Sequence, residues 1–405
     1  MVPAKIKIED YNYGLPDERI AKYPLPERDK SKLLVLKNSH ISEHTFFEIP
    51  QLIPRDSLLL FNETKVIQAR LLFRKESGAK IEIFCLEPVL PVNDFQLALE
   101  QKPPVVWKCM VGNARRWKSG ELNSLINING KEVMLTALLK ERLSDSFLVE
   151  FLWQPQEVTF SEILDTSGLT PLPPYLHRDA EETDKIRYQT VYARYEGSVA
   201  APTAGLHFTA KVMNNLAKRD IATAKLVLHV GAGTFKPVSS QTIEQHQMHT
   251  EKIKVDLSAL EKISAYTGKN IIPVGTTSMR NLETLFWIGL KLHYGYTPFN
   301  KVEQWDAYKL KIPDGFTPEK SLETIINYLY KNNLKHIEGE TQMIIVPGYK
   351  FRFANGLITN FHQPKSTLLL LVSALIGENW KKVYDFALNN DFRFLSYGDS
   401  CLLLP

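Results

Sequence analysis

Cysteine is scarce here: the 405 residues hold three, Cys85, Cys109 and Cys401, odd in number and never spaced C-x-x-C. That pattern excludes a disulfide framework and a zinc knuckle and fits a reducing compartment. Excess charge is scarce too. The 49 Lys and Arg against 45 Asp and Glu leave +4, so any polyanion must be met by a local patch and not by the whole surface. The greasiest run, residues 368–376, is half of the roughly 18 residues a membrane span requires, and residues 1–10 lack a signal-peptide core. A cytoplasmic protein without membrane contact is expected. No unit of 20 to 50 residues recurs, which excludes solenoids and propellers.

What is present is ordinary globular composition, 44% apolar and 23% charged, in a chain long enough for two or three domains at roughly 150 residues each. Two textures divide it. Residues 71–152 carry short alternating runs, such as Lys80-Ile-Glu-Ile-Phe-Cys-Leu86, between turn clusters such as Asn127-Ile-Asn-Gly130, and predict an inserted small all-β, barrel-like domain. Residues 1–70 and 153–405 alternate strand, turn and helix and predict a main α/β domain with a mixed sheet, elaborated at about 291–338. Within it, Ser258 and Glu261 have capping-box spacing for a helix stopping near Gly268. Residues 271–274 read as a strand turning into a helix near Met279, and a further helix opens at Pro364 and closes at Gly377.

Several segments carry polar chemistry. Gly231 and Gly233 follow an apolar strand but lack the third glycine of a dinucleotide fingerprint, and taken alone they are better explained by a tight turn without a ligand. Gly275-Thr-Thr-Ser278 before Arg280 joins hydroxyls to a helix start suited to a carboxylate or phosphate, or merely caps that helix. His207, in a Pro- and Gly-rich loop, has the ionisation of an acid or base, as a merely hydrogen-bonded histidine also would. His246, His249 and Glu251 are three potential metal ligands without a spacing that favours a metal, and none is assigned. Asn360 and His362 sit at a strand end ahead of a helix, where α/β sheets place ligands. Trp107-Lys108 and Arg115-Arg-Trp-Lys118 interleave cations with indoles, as a single-stranded RNA contact does, or as snorkelling barrel residues do.

Taken together these strings resemble the S-adenosylmethionine:tRNA ribosyltransferase-isomerase family of queuosine biosynthesis. The resemblance runs through Leu15-Pro-Asp-Glu-Arg-Ile-Ala21, Pro26-Glu-Arg28, Leu60-Phe-Asn-Glu-Thr-Lys-Val66 with Ala69-Arg70, Pro171-Leu-Pro-Pro-Tyr175 and Tyr188-Gln-Thr-Val-Tyr192. It continues through Ala200-Ala-Pro-Thr-Ala-Gly-Leu-His-Phe208, Leu228-His-Val-Gly-Ala-Gly-Thr-Phe235, Val274-Gly-Thr-Thr-Ser278, Thr359-Asn-Phe-His362 and Ser396-Tyr-Gly-Asp399. It implies a transferase that moves the ribosyl part of S-adenosylmethionine onto 7-aminomethyl-7-deazaguanine at the wobble position of the tRNA anticodon loop. The products would be epoxyqueuosine, adenine and methionine, with S-adenosylmethionine as co-substrate and no bound cofactor.

His207 and His362 are then the leading proton-transfer candidates, with His229, His249 and Glu251 in reserve. Asn62, Arg70, Gly205, Phe208, His229, Gly231, Gly233, Thr234, Thr276, Thr277, Ser278, Arg280 and Asn360 are the expected substrate-binding residues. S-adenosylmethionine is placed between the turn at 231–234 and the helix start at 276–280. Lys108, Arg115, Arg116 and Lys118 are expected to meet tRNA phosphates, with Trp107 and Trp117 stacking on bases. Lys32 and Lys65 stand where the family pattern suggests Arg, and an ammonium does not reproduce a bidentate fork. The stretches 291–338 and 91–104 exceed the family norm. A methyltransferase using the same two ligands, or a silent tRNA-binding paralogue, remains open.

Overall fold

The strand Ser57–Asn62 is buried at every position, the mark of a parallel strand covered on both faces. It lies between Asn270–Pro273 and Ala222–Leu228 and runs parallel to both. The sheet continues through Glu251–Asp256 and His336–Thr341, both antiparallel to their predecessors, to the short strand Lys301–Val302. A four-stranded sheet, Leu357–Asn360, Ser400–Leu404, Lys32–Lys37 and His40–Thr45 in spatial order, meets the first through a parallel bridge between Val274 and Ile358. The fold is therefore mixed α/β with several sheets. A computed structural model describes residues 6–75, 77–231, 238 and 240–405.

The helix Thr276–His293 is the spine of the molecule, buried from Thr276 to Lys291. Gly275 precedes it at φ +91°, a conformation that favours glycine, and donates to Ile358 O at 2.7 Å. The helix start is thereby fixed against the end of Leu357–Asn360. Along the helix, Glu283 accepts from Tyr349 Oη at 2.7 Å and from the amides of Arg352, Phe353 and Ala354 at 2.8–3.1 Å, which pins that loop. The 291–338 elaboration contributes the helix Pro318–Lys331. Ser321 donates to Leu285 O and Phe286 O, an approach that Gly289 permits, because a Cβ there would stand 2.1 Å from Ser321 Oγ.

A seven-stranded antiparallel sheet contains Arg70–Arg74, Lys80–Leu90, Val105–Gly112, Glu121–Ile128, Lys131–Arg142 and Phe147–Gln154, with Gly168–Leu169 at one edge. It has its own apolar cluster around Phe73, Trp107, Phe151 and Trp153. The helix Phe160–Ser167, held by a complete capping box of Thr159 and Glu162, closes over it. Two helix starts differ from expectation. The helix Leu257–Ala265 begins after Asp256, so Ser258 is already inside it and forms no cap. The helix Thr367–Ile376 begins three residues beyond Pro364, because the Ser366 hydroxyl accepts from Leu369 N; Gly377 closes it at φ +56° as expected. Among the described residues no helix is long and apolar enough to cross a membrane.

Candidate active site

An open cleft lies where the strands ending at Pro273 and Asn360 meet the start of Thr276–His293. It is lined by Thr276 and Thr277 on the helix, by Thr359, Asn360 and His362 at the strand end, and by Ser366, Thr367 and Ser396 opposite. The carboxyl ends of parallel strands are where an α/β sheet offers a ligand both free backbone groups and a helix N-terminus. Two buried polar atoms of this lining, Thr277 Oγ1 and Asn360 Oδ1, have no hydrogen-bond partner among the described residues. Such atoms cost free energy unless a ligand or water completes them.

The cleft continues past Thr276 and Thr277 to Arg280, Met248 and His249. Here the Glu251 carboxylate, almost fully buried, pairs with Arg280 on one oxygen and with His249 Nε2 at 3.0 Å on the other. Burial lowers the Arg280 guanidinium to about 10. The carboxylate fixes the orientation of the imidazole, whose side chain remains 29% exposed.

The histidines separate by environment. His362 lines the cleft with Nε2 2.9 Å from Thr359 Oγ1, and burial pushes it down to about 3. His207 stands behind the cleft wall: Nε2 accepts from Asn360 Nδ2 at 3.2 Å and Nδ1 lies 2.8 Å from Ser31 Oγ. Burial and the nearby Arg393 lower it to about 4. Both are neutral near pH 7. His229 is also lowered to about 4 by burial, but it lines a separate cavity with Tyr195 and Lys252.

Several expected substrate residues are held in the framework. Asn62 bonds Leu228 through its carbonyl and amide groups and so ties the ends of two strands. Arg70 donates to Leu172 O and Glu82. Phe208 is fully buried edge-on to Phe46 and Phe61, and Ser278 donates to Val274 O. At Gly205 a Cβ would stand 2.0 Å from Tyr192 Oη, so its smallness serves packing. Gly231 faces a cavity shared with Lys108, His246 and His249. Gly233 and Thr234 lie outside the described residues.

In the antiparallel sheet, Arg115, Arg116 and Lys118 are exposed. Trp107 and Trp117 are buried to within 1%, and Trp117 Nε1 donates to Gly120 O at 3.1 Å. The expected stacking of these indoles on bases does not hold, because both are core residues: period-two alternation turns Trp107 inward with Val105 and Cys109, and Trp117 is folded in after Ala114–Arg116. Lys32 and Lys65 make their own ion pairs, with Glu43 at 2.9 Å and Glu196 at 2.6 Å. The expectations did not include Thr359, Ser366, Thr367 and Ser396, although Thr359 and Ser396 begin two of the quoted motifs.

A cleft at strand ends, with hydroxyl and amide groups set in a partly apolar wall, a helix start and a carboxylate-backed imidazole, defines an α/β enzyme site. The family model described as queuosine biosynthesis protein matches residues 8–403. An S-adenosylmethionine:tRNA ribosyltransferase-isomerase of Halothermothrix orenii is 37% identical, covering 98% of this chain and 100% of its own. Proteins of the same name from Trichlorobacter lovleyi and Thermosynechococcus vestitus are 34% and 35% identical, over 98% and 100% of this chain and 99% and 97% of theirs. A crystal structure of an S-adenosylmethionine tRNA ribosyltransferase from Thermotoga maritima, 27% identical over 98% of this chain and 100% of that one, superposes with a TM-score of 0.45. The chain belongs to the queuosine biosynthesis protein family.

Proposed function

We propose that this protein is a cytoplasmic S-adenosylmethionine:tRNA ribosyltransferase-isomerase. It transfers the ribosyl part of S-adenosylmethionine to 7-aminomethyl-7-deazaguanine at the tRNA wobble position, giving epoxyqueuosine and releasing adenine and methionine. The observation that carries the reading beyond family membership is the cleft itself, where two unpartnered polar atoms, Thr277 Oγ1 and Asn360 Oδ1, meet a helix start. That set suits a nucleoside with a charged amino-acid arm: the helix start and Arg280 favour the carboxylate, and the hydroxyl and amide oxygens accept from ribose or adenine.

The reaction needs a base for a proton beside the sulfonium, an exit for adenine and a neutral amine as nucleophile. We assign the first task to His249, oriented by Glu251. His362, so easily kept neutral, is a weak base and serves as a hydrogen-bonding wall of the cleft. His207 positions Asn360, whose Nδ2 donates both to it and to Leu395 O, leaving Oδ1 for substrate. The antiparallel sheet is read as an inserted domain, about residues 71–152, and its exposed Arg115, Arg116 and Lys118 are assigned to the anticodon arm. Transfer of a ribose label from S-adenosylmethionine to amine-bearing tRNA, without transfer of a methyl label, tests the reading. Transfer of the methyl label would replace it with a methyltransferase.

A further inference from the structure

Three arginines from distant parts of the chain, Arg28, Arg187 and Arg393, line one pocket together with Ser31, His207 and Ser396. Arg28 ends the segment Pro26-Glu-Arg28, Arg187 precedes Tyr188-Gln-Thr-Val-Tyr192, and Arg393 stands three residues before Ser396; of these six pocket residues only Ser396 also lines the cleft. Among the described residues no carboxylate lines this pocket. Among the described residues neither Arg28 nor Arg187 makes an ion pair, and Arg393 reaches Asp399 only at 3.4 Å.

Arg28 and Arg187 clamp each other's segments. Arg28 donates to Gln189 O at 2.9 Å and Ile186 O at 3.4 Å, while Arg187 donates to Pro26 O at 2.9 Å and to Leu25 O. The clamp fixes both guanidiniums before any ligand arrives and uses only part of their five N–H groups. Arg187 Nε is buried without a hydrogen-bond partner among the described residues. Stapling carbonyls requires donors but not charge, and charge here is costly: burial, and then the Arg187 charge, lowers the pKa of Arg28. Three guanidiniums line one pocket, two of them without an ion pair among the described residues and the third shared with Asp399, and an anion that fits their planar forks explains them.

Ser396 lines both this pocket and the cleft, and the His207–Asn360 hydrogen bond forms the wall between them. A nucleotide whose base entered the cleft would carry its backbone past that wall. Resting on the function proposed above, we propose that Arg28, Arg187 and Arg393 seat a backbone phosphate of the tRNA beside the nucleotide being modified.

The test is tRNA affinity against salt for the full-length protein, Arg393→Gln, Arg393→Lys and Arg187→Gln, with inorganic phosphate as a competing probe. Each single-strand phosphate contact adds about 0.7 to the slope of log K against log salt. Arg393→Gln and Arg187→Gln should each flatten the slope by up to about that amount, Arg393→Lys should keep it, and S-adenosylmethionine affinity should not move. Inorganic phosphate should compete with tRNA on the unsubstituted protein and lose effect on Arg393→Gln. Should Arg187→Gln loosen the clamp and melt early, Arg393→Gln and Arg393→Lys still decide. Unchanged slopes overturn the proposal, and so does phosphate binding at the arginines without any change in slope, which marks a site for a free anion. Unchanged slopes with normal ribosyl transfer sink the phosphate site alone, whereas flattened slopes without ribosyl transfer support it and sink only the assigned reaction.

Discussion

Asn360 Nδ2 donates to His207 Nε2 across 3.2 Å, and the same amide nitrogen donates to Leu395 O at 2.9 Å. A side-chain amide with both donors committed has one face left, its carbonyl oxygen, and in Asn360 that oxygen has no partner among the described residues. His207→Gln should therefore reduce turnover by roughly tenfold, the equivalent of about 1.4 kcal/mol, within the range of one hydrogen bond. The pH profile of the remaining activity should keep its shape. A profile that loses a limb in His207→Gln would make His207 a proton carrier.

Stability should depend on pH through the same histidine. Its folded value, about 4, lies below the ordinary 6.5, so the unfolded chain takes up a proton that the folded chain refuses. The stabilising contribution is complete above 6.5 and is lost as pH falls towards about 4, at up to about 1.4 kcal/mol per pH unit. Urea unfolding of the protein and of His207→Gln should show their stability difference shrinking over that window. A difference constant with pH would contradict the account.

Glu251 joins Arg280 to His249, and its neutralisation strands a buried guanidinium. Glu251→Gln should cost about 3–5 kcal/mol in denaturant unfolding. Glu251→Gln combined with Arg280→Gln should recover much of that loss while leaving turnover low. If the single substitution is as stable as the parent, the pair is not the anchor described.

Thr277 supplies a contrasting case, since its buried hydroxyl has no hydrogen bond to lose among the described residues. Thr277→Val should leave thermal stability unchanged or slightly higher and weaken S-adenosylmethionine by roughly tenfold, the loss of one hydrogen bond. Calorimetry reads both. Unaltered affinity would place the co-substrate elsewhere.

The exposed basic patch of the antiparallel sheet is tested separately. Replacing Arg115, Arg116 and Lys118 together by Ala should flatten the salt slope of tRNA binding by roughly 2 with S-adenosylmethionine affinity unchanged. An unaltered slope and normal tRNA affinity would take the RNA off this face.

The turn at Gly275 and the polar strand end at Asn360 were legible in the sequence because each is a local event, a glycine before a helix and a motif ahead of one. Their meeting was legible only as two candidate sites, since the bridge between Val274 and Ile358 is set by the sheet. Neighbouring cations suggested a surface at Trp107 and Trp117, whereas strand alternation turns Trp107 in beside an outward Lys108, and the connection after Ala114–Arg116 folds Trp117 into the core with its Nε1 donating to Gly120 O. Asn62 and Phe208 belong to matched motifs, yet they tie strands and fill the core. Membership in a motif does not separate a residue that touches substrate from one that shapes the wall. The arginine pocket was hidden for the opposite reason, because Arg28, Arg187 and Arg393 are far apart in sequence and only the folded chain brings them together.

The central claim is settled most directly by the small molecules released when the protein is given S-adenosylmethionine and tRNA bearing 7-aminomethyl-7-deazaguanine. The account predicts free adenine and methionine in equal amounts, with none formed when the tRNA lacks the aminomethyl group. S-adenosylhomocysteine in place of adenine would contradict it.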